Sequence, residues 1–467
     1  MPQTPQAGRY NARFFHTLRE LMRHTELLAP AGSLKTMRYA FAYGADAVYA
    51  GAARYSLRMR GNEFNDENLQ TGINEAHALG KQFYLTVNAM PHNYKLQTAI
   101  RDLSPSLKAG PDACIMSDPG LIMLVKDAFP DMPIHLSVQA NSMNWASVKF
   151  WAKNGISRII LSRELSLDEI REIRERCPDI ELEVFVHGAL CIAYSGRCLL
   201  SGYFNNRDPN QGVCTNACRW QYKTHGAIEE SEGEFIPTPD RIFSPDALQG
   251  LTDPQERHPL ADRTYYLEET NRPGEYMEIT EDEHGTYIMN SRDLRAIEHV
   301  GELVKIGVDC LKIEGRTKSF YYAARTAQLY RRAIDDALAG RPFDPGLSDS
   351  LEGLANRGYT DGFFVRRQIK AQQNYATGSS NAATQQFVGE VIAFDAATGL
   401  ATIEAKNHFA SGDKIELIQP GGNRHLTLGE LRDVSSGEIV PAAKGSGWRV
   451  QTDLGAVDTY TLLAKHL

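Results

Sequence analysis

Eight short runs of β-branched, aromatic and aliphatic residues, each followed by a stretch with helical spacing, set the fold this chain can adopt. The runs are ELLAP (26–30), DAVYAG (46–51), FYLTVN (83–88), ACIMSD (113–118), IHLSVQ (134–139), RIILSR (158–163), LEVFVHG (182–188) and DCLKIEG (309–315). Between them lie amphipathic segments such as SLKTMRYAFAYGA, ENLQTGINEAHALG and SLDEIREIRERC, and SFYYAARTAQLYRRAIDDALAG follows the last. Parallel strands need a crossover between neighbours, and a helix supplies it, so alternating strand and helix patterns predict a parallel sheet. Eight such units predict a closed (β/α)8, TIM-like barrel, an α/β fold, over residues 26–341.

The seventh unit departs from the pattern, with about 95 residues between LEVFVHG and the expected helix SRDLRAIEHVGELVKIG. The excess forms an insertion at 189–285, on the side of the barrel where loops after strand ends build active sites, and is expected to cap that face. Residues 342–385, with early Pro and Gly and a late polar tract, QQNYATGSSNAATQQ, read as a connector. From 386 to 467 the runs FVGEVIAFD, LATIEAK, DKIELIQP, HLTLGEL and GWRVQTD alternate over short turns, predicting a small C-terminal antiparallel β-barrel. Such a module serves either as an RNA or partner contact or as a structural appendage.

Residues 1–25 read as an extension outside the barrel. They carry Arg9, Arg13, Arg19 and Arg23 but no apolar core or small-residue cleavage site, so they do not resemble a secretory signal, and a cytoplasmic location is expected. A frayed terminus, an organellar transit peptide and an RNA-touching arm all remain open for them. No apolar run is long enough to span a membrane. The net charge of −8 is concentrated: residues 226–285 hold 16 Asp and Glu against 4 Arg, a local balance of −12. The rest of the chain is then mildly positive, which leaves an anionic partner such as RNA open.

The insertion begins at four cysteines, Cys191, Cys198, Cys214 and Cys218. In a cell-interior enzyme a cluster of this kind holds a metal or an iron-sulfur centre rather than disulfides. The spacing lacks the close CxxC pairs of zinc ribbons; a closed zinc site and a 4Fe-4S cluster, which needs one thiolate per iron, are the two readings. Cys114, Cys177 and Cys310 fall in elements and read as packing thiols. Polar residues at strand ends form a second constellation. It comprises Arg54, Arg58, Arg60, Asn88, His92, Asn93, Gln139, Asn141, Asn144, Arg163, Glu164, His187, Glu314, Arg316 and Lys318. Facing one mouth, its arginines, lysine and amides suit an anionic substrate through forked contacts, against loop salt bridges or caps as the alternative for any one residue. His187 near Cys191 raises a Cys/His nucleophile, but no GxSxG, HExxH, GxxxxGK[ST] or GxGxxG motif is present.

The stretch EVFVHGALCIAYSGRCLLS (183–201) resembles the signature of the collagenase-like peptidase family. The resemblance continues through LLAPAGSLKTMRYAFAYGADAVYAG, RGNEFNDENL, MSDPGLIMLV, HLSVQANSMNWASVKFW, SGYFNNRDPNQGVCTNACRW and LKIEGRTKSFYYAARTAQLYRRAIDD. It implies a prephenate-dependent tRNA hydroxylase that forms 5-hydroxyuridine at the wobble position, with a 4Fe-4S cluster, prephenate as co-substrate and the tRNA anticodon loop as partner. Cys191 and Cys198 lie inside the signature, and Cys214 sits where relatives keep a third metal ligand. The fourth ligand of some relatives lies farther downstream, where this chain has the cysteine-free EETNRPGEYM, so Cys218 is the remaining candidate. Arg58, Arg60, Arg316 and Lys318 are the candidates for the prephenate carboxylates, and Arg58, Arg60, His187 and Glu314 for catalysis. The rivals are a collagenase-like peptidase with a structural metal and a non-catalytic RNA-binding or assembly module.

Overall fold

The computed structural model describes residues 24–57, 62–190, 292–354, 356, 358–365 and 385–467, together with the backbone of short strands between 222 and 286. Strands β1 (Glu26–Pro30), β2 (Ala47–Gly51), β3 (Gln82–Val87), β4 (Ala113–Met116), β5 (Ile134–Leu136), β6 (Arg158–Ile160) and β7 (Glu181–Ala189) pair in sequence, all parallel. Six short strands follow in the insertion: β8 (Tyr222–Glu229), β9 (Phe235–Pro237), β10 (Tyr265–Glu269), β11 (Tyr276–Ile279), β12 (Glu281–Asp282) and β13 (Gly285–Thr286). Strand β15 (Cys310–Ile313) then pairs with both β1 and β7 and closes the eight-stranded barrel. Every strand run of the sequence is one of these eight.

The helices between them follow their local signals. Ser33, Asn65, Asp118, Asn144, Ser166 and Ser319 each cap a helix by accepting a backbone N–H, and Ser166 with Glu169 forms a full capping box. The expected helix at SRDLRAIEHVGELVKIG is different. Asp293–Arg295 is strand β14, Ile297–His299 is a 3-10 turn, and the α-helix covers only Val300–Ile306. The reason lies in β7, whose nine residues outrun β15. A bulge between Lys312 and Ile313 shifts the register, and the upper part of β7 takes β14 as an antiparallel partner instead. The connector region contributes a helix, Gly346–Glu352, and strand β16 (Tyr359–Thr360), which pairs with β14.

Faces of the barrel strands that meet the helices are apolar and fully buried, with Leu27, Val48, Phe83, Leu85, Leu182 and Leu311 among them. The interior is polar at its lower end. The Arg158 guanidinium donates to Glu26 at 2.8 and 3.1 Å and to Glu181 at 2.8 Å, Tyr84 donates to Glu26 at 2.9 Å, and Lys312 donates to Glu183 at 2.8 Å. Lys312 also lies 4.3 Å from the Tyr49 ring centroid. Charges this deeply buried persist because each meets an opposite charge and hydrogen bonds.

Strands β17–β26, between Gln385 and His466, include an eight-stranded antiparallel sheet that curls into a half-barrel around Val388, Ile403, Phe409, Leu417 and Val450. It docks on the helices Leu34–Ala42 and Phe320–Leu338. Glu390 accepts from Lys35 at 2.5 Å and Tyr39 at 3.0 Å; Glu416 pairs with Arg325 at 3.1 Å; Tyr321 stacks on Phe387 at 4.5 Å. Ile418, Leu462 and Ala464 belong to the same apolar core as the barrel. Among the described residues no helix is long and apolar enough to cross a membrane.

Candidate active site

The mouth lies at the carboxyl ends of the strands, where the loops after β2, β3, β5, β6, β7 and β15 converge. Its first organiser is Arg316, 8% exposed, which follows β15. Its Nη1 donates to Ser56 Oγ at 2.8 Å and its Nη2 to the Leu57 carbonyl at 2.6 Å. Gly51, the last residue of β2, makes this approach possible: a Cβ there would sit 2.6 Å from Arg316 Nη1 and 2.7 Å from Ser56 Oγ. Arg316 therefore grips the loop that runs on to Arg58 and Arg60, which lie outside the described residues.

Glu314 stands beside it. Its carboxylate is 3.4 Å from the Tyr49 hydroxyl and 3.7 Å from Arg163 Nη2. Arg163 packs its guanidinium 3.9 Å from the Phe185 ring centroid and donates to the Ala189 carbonyl at 2.6 Å. It thereby holds the end of β7, two residues before Cys191. Lys318, on the turn after β15, lies 5.4 Å over the Tyr322 ring. The four candidate ligand cysteines, Cys191, Cys198, Cys214 and Cys218, are outside the described residues. Among those described, no group of three His, Cys, Asp or Glu could hold a metal ion. Cys114, Cys177 and Cys310 are buried free thiols, and burial raises the pKa of each, which suits packing and not ligation.

His187 does not face the mouth. The bulge opposite Ile313 turns it outward into a box of aromatic rings, with Tyr322, Tyr330 and Tyr359 at 5.8, 5.5 and 5.5 Å. Its Nδ1 is 3.3 Å from the Tyr330 hydroxyl, which also donates to the Val186 carbonyl at 2.7 Å. Burial, and then the charges of Lys318 and Arg295, pushes its pKa down to about 3, so the ring is neutral at ordinary pH. Gly188 permits this packing: its φ is +104°, and a Cβ would meet the Glu314 carbonyl at 2.5 Å.

The amides after β3 and β5 form a relay across the intervening β4. Leu57 N–H donates to Asn88 Oδ1 at 3.0 Å, Asn88 Nδ2 donates to Gln139 Oε1 at 2.6 Å, and Ser137 Oγ donates to the same oxygen at 3.3 Å. Ser117, at the end of β4, donates to the Asn88 carbonyl at 2.9 Å. The sequence pattern puts Asn88, Gln139, Arg163, Glu314 and Arg316 around one mouth; they come from four loops, with Arg316 tied to Asn88 and Gln139 through Leu57, and Glu314 paired with Arg163. That pattern missed Ser56, Tyr49 and Tyr322; Gly51 and Gly315, at strand ends, were the available signal, since a Cβ on Gly315 would meet Tyr322 at 2.6 Å.

The tRNA hydroxylation protein P of Escherichia coli is 60% identical over 425 residues, 91% of this chain and 92% of that one. The protein of the same name from Haemophilus influenzae is 57% identical over 90% of this chain and 91% of its own length. A 23S rRNA 5-hydroxycytidine synthase of E. coli is 28% identical over 79% of this chain and 47% of that protein. Residues 32–374 match peptidase family U32, and residues 383–464 match the peptidase family U32 C-terminal domain. On both matches, which together span the barrel and the half-barrel, the chain belongs to peptidase family U32.

Proposed function

We propose that this protein is a tRNA-modifying enzyme that hydroxylates uridine at C5 in the wobble position, with prephenate as co-substrate and an iron-sulfur cluster on Cys191, Cys198, Cys214 and Cys218. The observation that carries the reading is the 60% identity, over nine-tenths of both chains, to a protein named for tRNA hydroxylation. The donor set fits the group: four cysteines in one segment match the thiolate demand of a four-iron cluster. Bound there, such a cluster would supply one-electron transfer.

The chain's own residues have separable tasks in this reading. Arg316 holds the 56–57 loop, and with Arg58 and Arg60, the arginines that follow in sequence, it is a candidate for the carboxylates of a small dicarboxylate. Lys318, two residues after Arg316, is the fourth candidate. Glu314, fixed between Tyr49 and Arg163, is the carboxylate available to hold or move a proton at the mouth. His187 positions β7 and does not serve as the acid or base, because its boxed ring stays uncharged at ordinary pH. The same fact weighs against a Cys/His peptidase, whose base must be accessible and titrate near neutrality.

The test is mass spectrometry of tRNA nucleosides from a deletion strain complemented with wild type, Cys191→Ala or Arg316→Ala. Restoration of wobble 5-hydroxyuridine by wild type alone is expected. Unchanged 5-hydroxyuridine in the deletion strain, or cleavage of collagen-like peptides without any effect of prephenate, would overturn the reading.

A further inference from the structure

We infer that the turn Gln139–Ser142, after β5, is the subsite that reads the hydrogen-bonding edge of a uracil base, with Gln139 as the residue that distinguishes uracil from cytosine. This rests on the proposed function and goes beyond it by naming the atoms that select the base.

The relay through the mouth fixes the orientation of each amide. A backbone N–H only donates, so the Leu57 N–H makes its partner Asn88 Oδ1; Asn88 then presents Nδ2 to Gln139, whose accepting atom must be Oε1. The remaining end of the Gln139 amide is therefore a donor, Nε2. It is buried and has no hydrogen-bond partner, in a residue only 6% exposed. Two further atoms of the same turn are buried without partners: Asn141 Oδ1, an acceptor, and Ser142 Oγ, a hydroxyl free to donate. Asn141 has a φ of 51°, a left-handed conformation that ends the 3-10 turn Val138–Ala140, and the Ser142 carbonyl accepts from Ser162 N–H at 3.3 Å, which ties the turn to the end of β6. Buried polar atoms left unpaired are costly, and three in one turn at a barrel mouth call for a ligand that satisfies them.

Taken in chain order the three atoms are a donor, an acceptor and a hydroxyl able to donate. The imide edge of uracil runs acceptor, donor, acceptor through O4, N3–H and O2, and complements all three. Cytosine offers a donor at C4 and an acceptor at N3, and opposes two of them. A carboxylate offers acceptors alone and would leave Asn141 Oδ1 unpaired. Access to this edge requires the base to be turned out of the anticodon stack, which single-stranded loops allow.

Full-length protein is titrated with fluorescent anticodon stem-loop RNAs that differ only in uridine or cytidine at the wobble position. Wild type should prefer uridine by roughly tenfold or more, the scale of a buried hydrogen-bond mismatch. Gln139→Ala should remove the preference by weakening only the uridine loop. Gln139→Glu, which still accepts from Asn88 but turns the donor into an acceptor, should move the preference toward cytidine. Matching thermal unfolding and circular dichroism of the variants would show the fold retained. The inference is overturned if both variants keep the wild-type ratio, or if Gln139→Ala weakens prephenate binding and leaves RNA discrimination intact. Wobble hydroxylation restored by wild type in the complemented strain decides the parent reading separately from this ratio.

Discussion

Gly188 shows how one residue sets the geometry of the mouth. Its positive φ and the 2.5 Å approach of the Glu314 carbonyl leave no space for a Cβ. Gly188→Ala should therefore destabilise the protein by roughly 2–4 kcal/mol and displace Glu314, read as a lower urea midpoint with unchanged slope. Lys312 makes a related point inside the barrel. Its ammonium, with the side chain 3% exposed, neutralises Glu183, which is fully buried. Lys312→Met alone should cost about 3–5 kcal/mol by leaving Glu183 under-compensated, while the double variant Lys312→Met/Glu183→Leu should recover much of that loss in a double-mutant cycle. Both residues were visible in the sequence as members of strand runs. Neither the clash nor the ion pair was, because their partners lie 126 and 129 positions away.

At the scale of elements, the upper half of β7 is the part that departs from an ideal barrel. It leaves β15 at the bulge, pairs with β14, and turns His187 into the box formed by Tyr322, Tyr330 and Tyr359. The neutral His187 gives the protein a predictable pH response. Its folded pKa is lowered to about 3 from an ordinary 6.5, so between those values the unfolded chain binds the extra proton. Stability contributed by this group is present above the unfolded value and is lost as pH falls toward 3. Between pH 7 and pH 5 the loss should be about 2 kcal/mol, and His187→Gln should remove that part of the slope in urea unfolding at the two pH values. His135, also buried and shifted down, should leave a residual slope in the variant. The helical pattern of SRDLRAIEHVGELVKIG suggested a helix throughout, yet its first residues form a strand because the unpaired edge of β7 needs a partner. Local periodicity carries no information about that edge.

Across the whole molecule, barrel and half-barrel share one apolar core and buried ion pairs, which predicts that they unfold as one cooperative body. Glu390 collects Lys35, Tyr39 and Lys406 at the junction. Glu390→Ala should lower stability by roughly 2–4 kcal/mol and broaden or split the single calorimetric transition expected of wild type. The eight strand positions, the long insertion after the seventh strand, the cysteine-bearing segment and the switch to an antiparallel module were legible along the chain. These depend on residue period and composition, which are properties of neighbouring residues. Which of the strand-end side chains meet was decided only by closure of the barrel. Closure brings Leu57, Asn88 and Gln139 into one relay, sets Arg316 against the β2 loop, and withdraws His187 into an aromatic box. Contacts of that kind depend on register and curvature across elements far apart in the chain, and no local pattern encodes them.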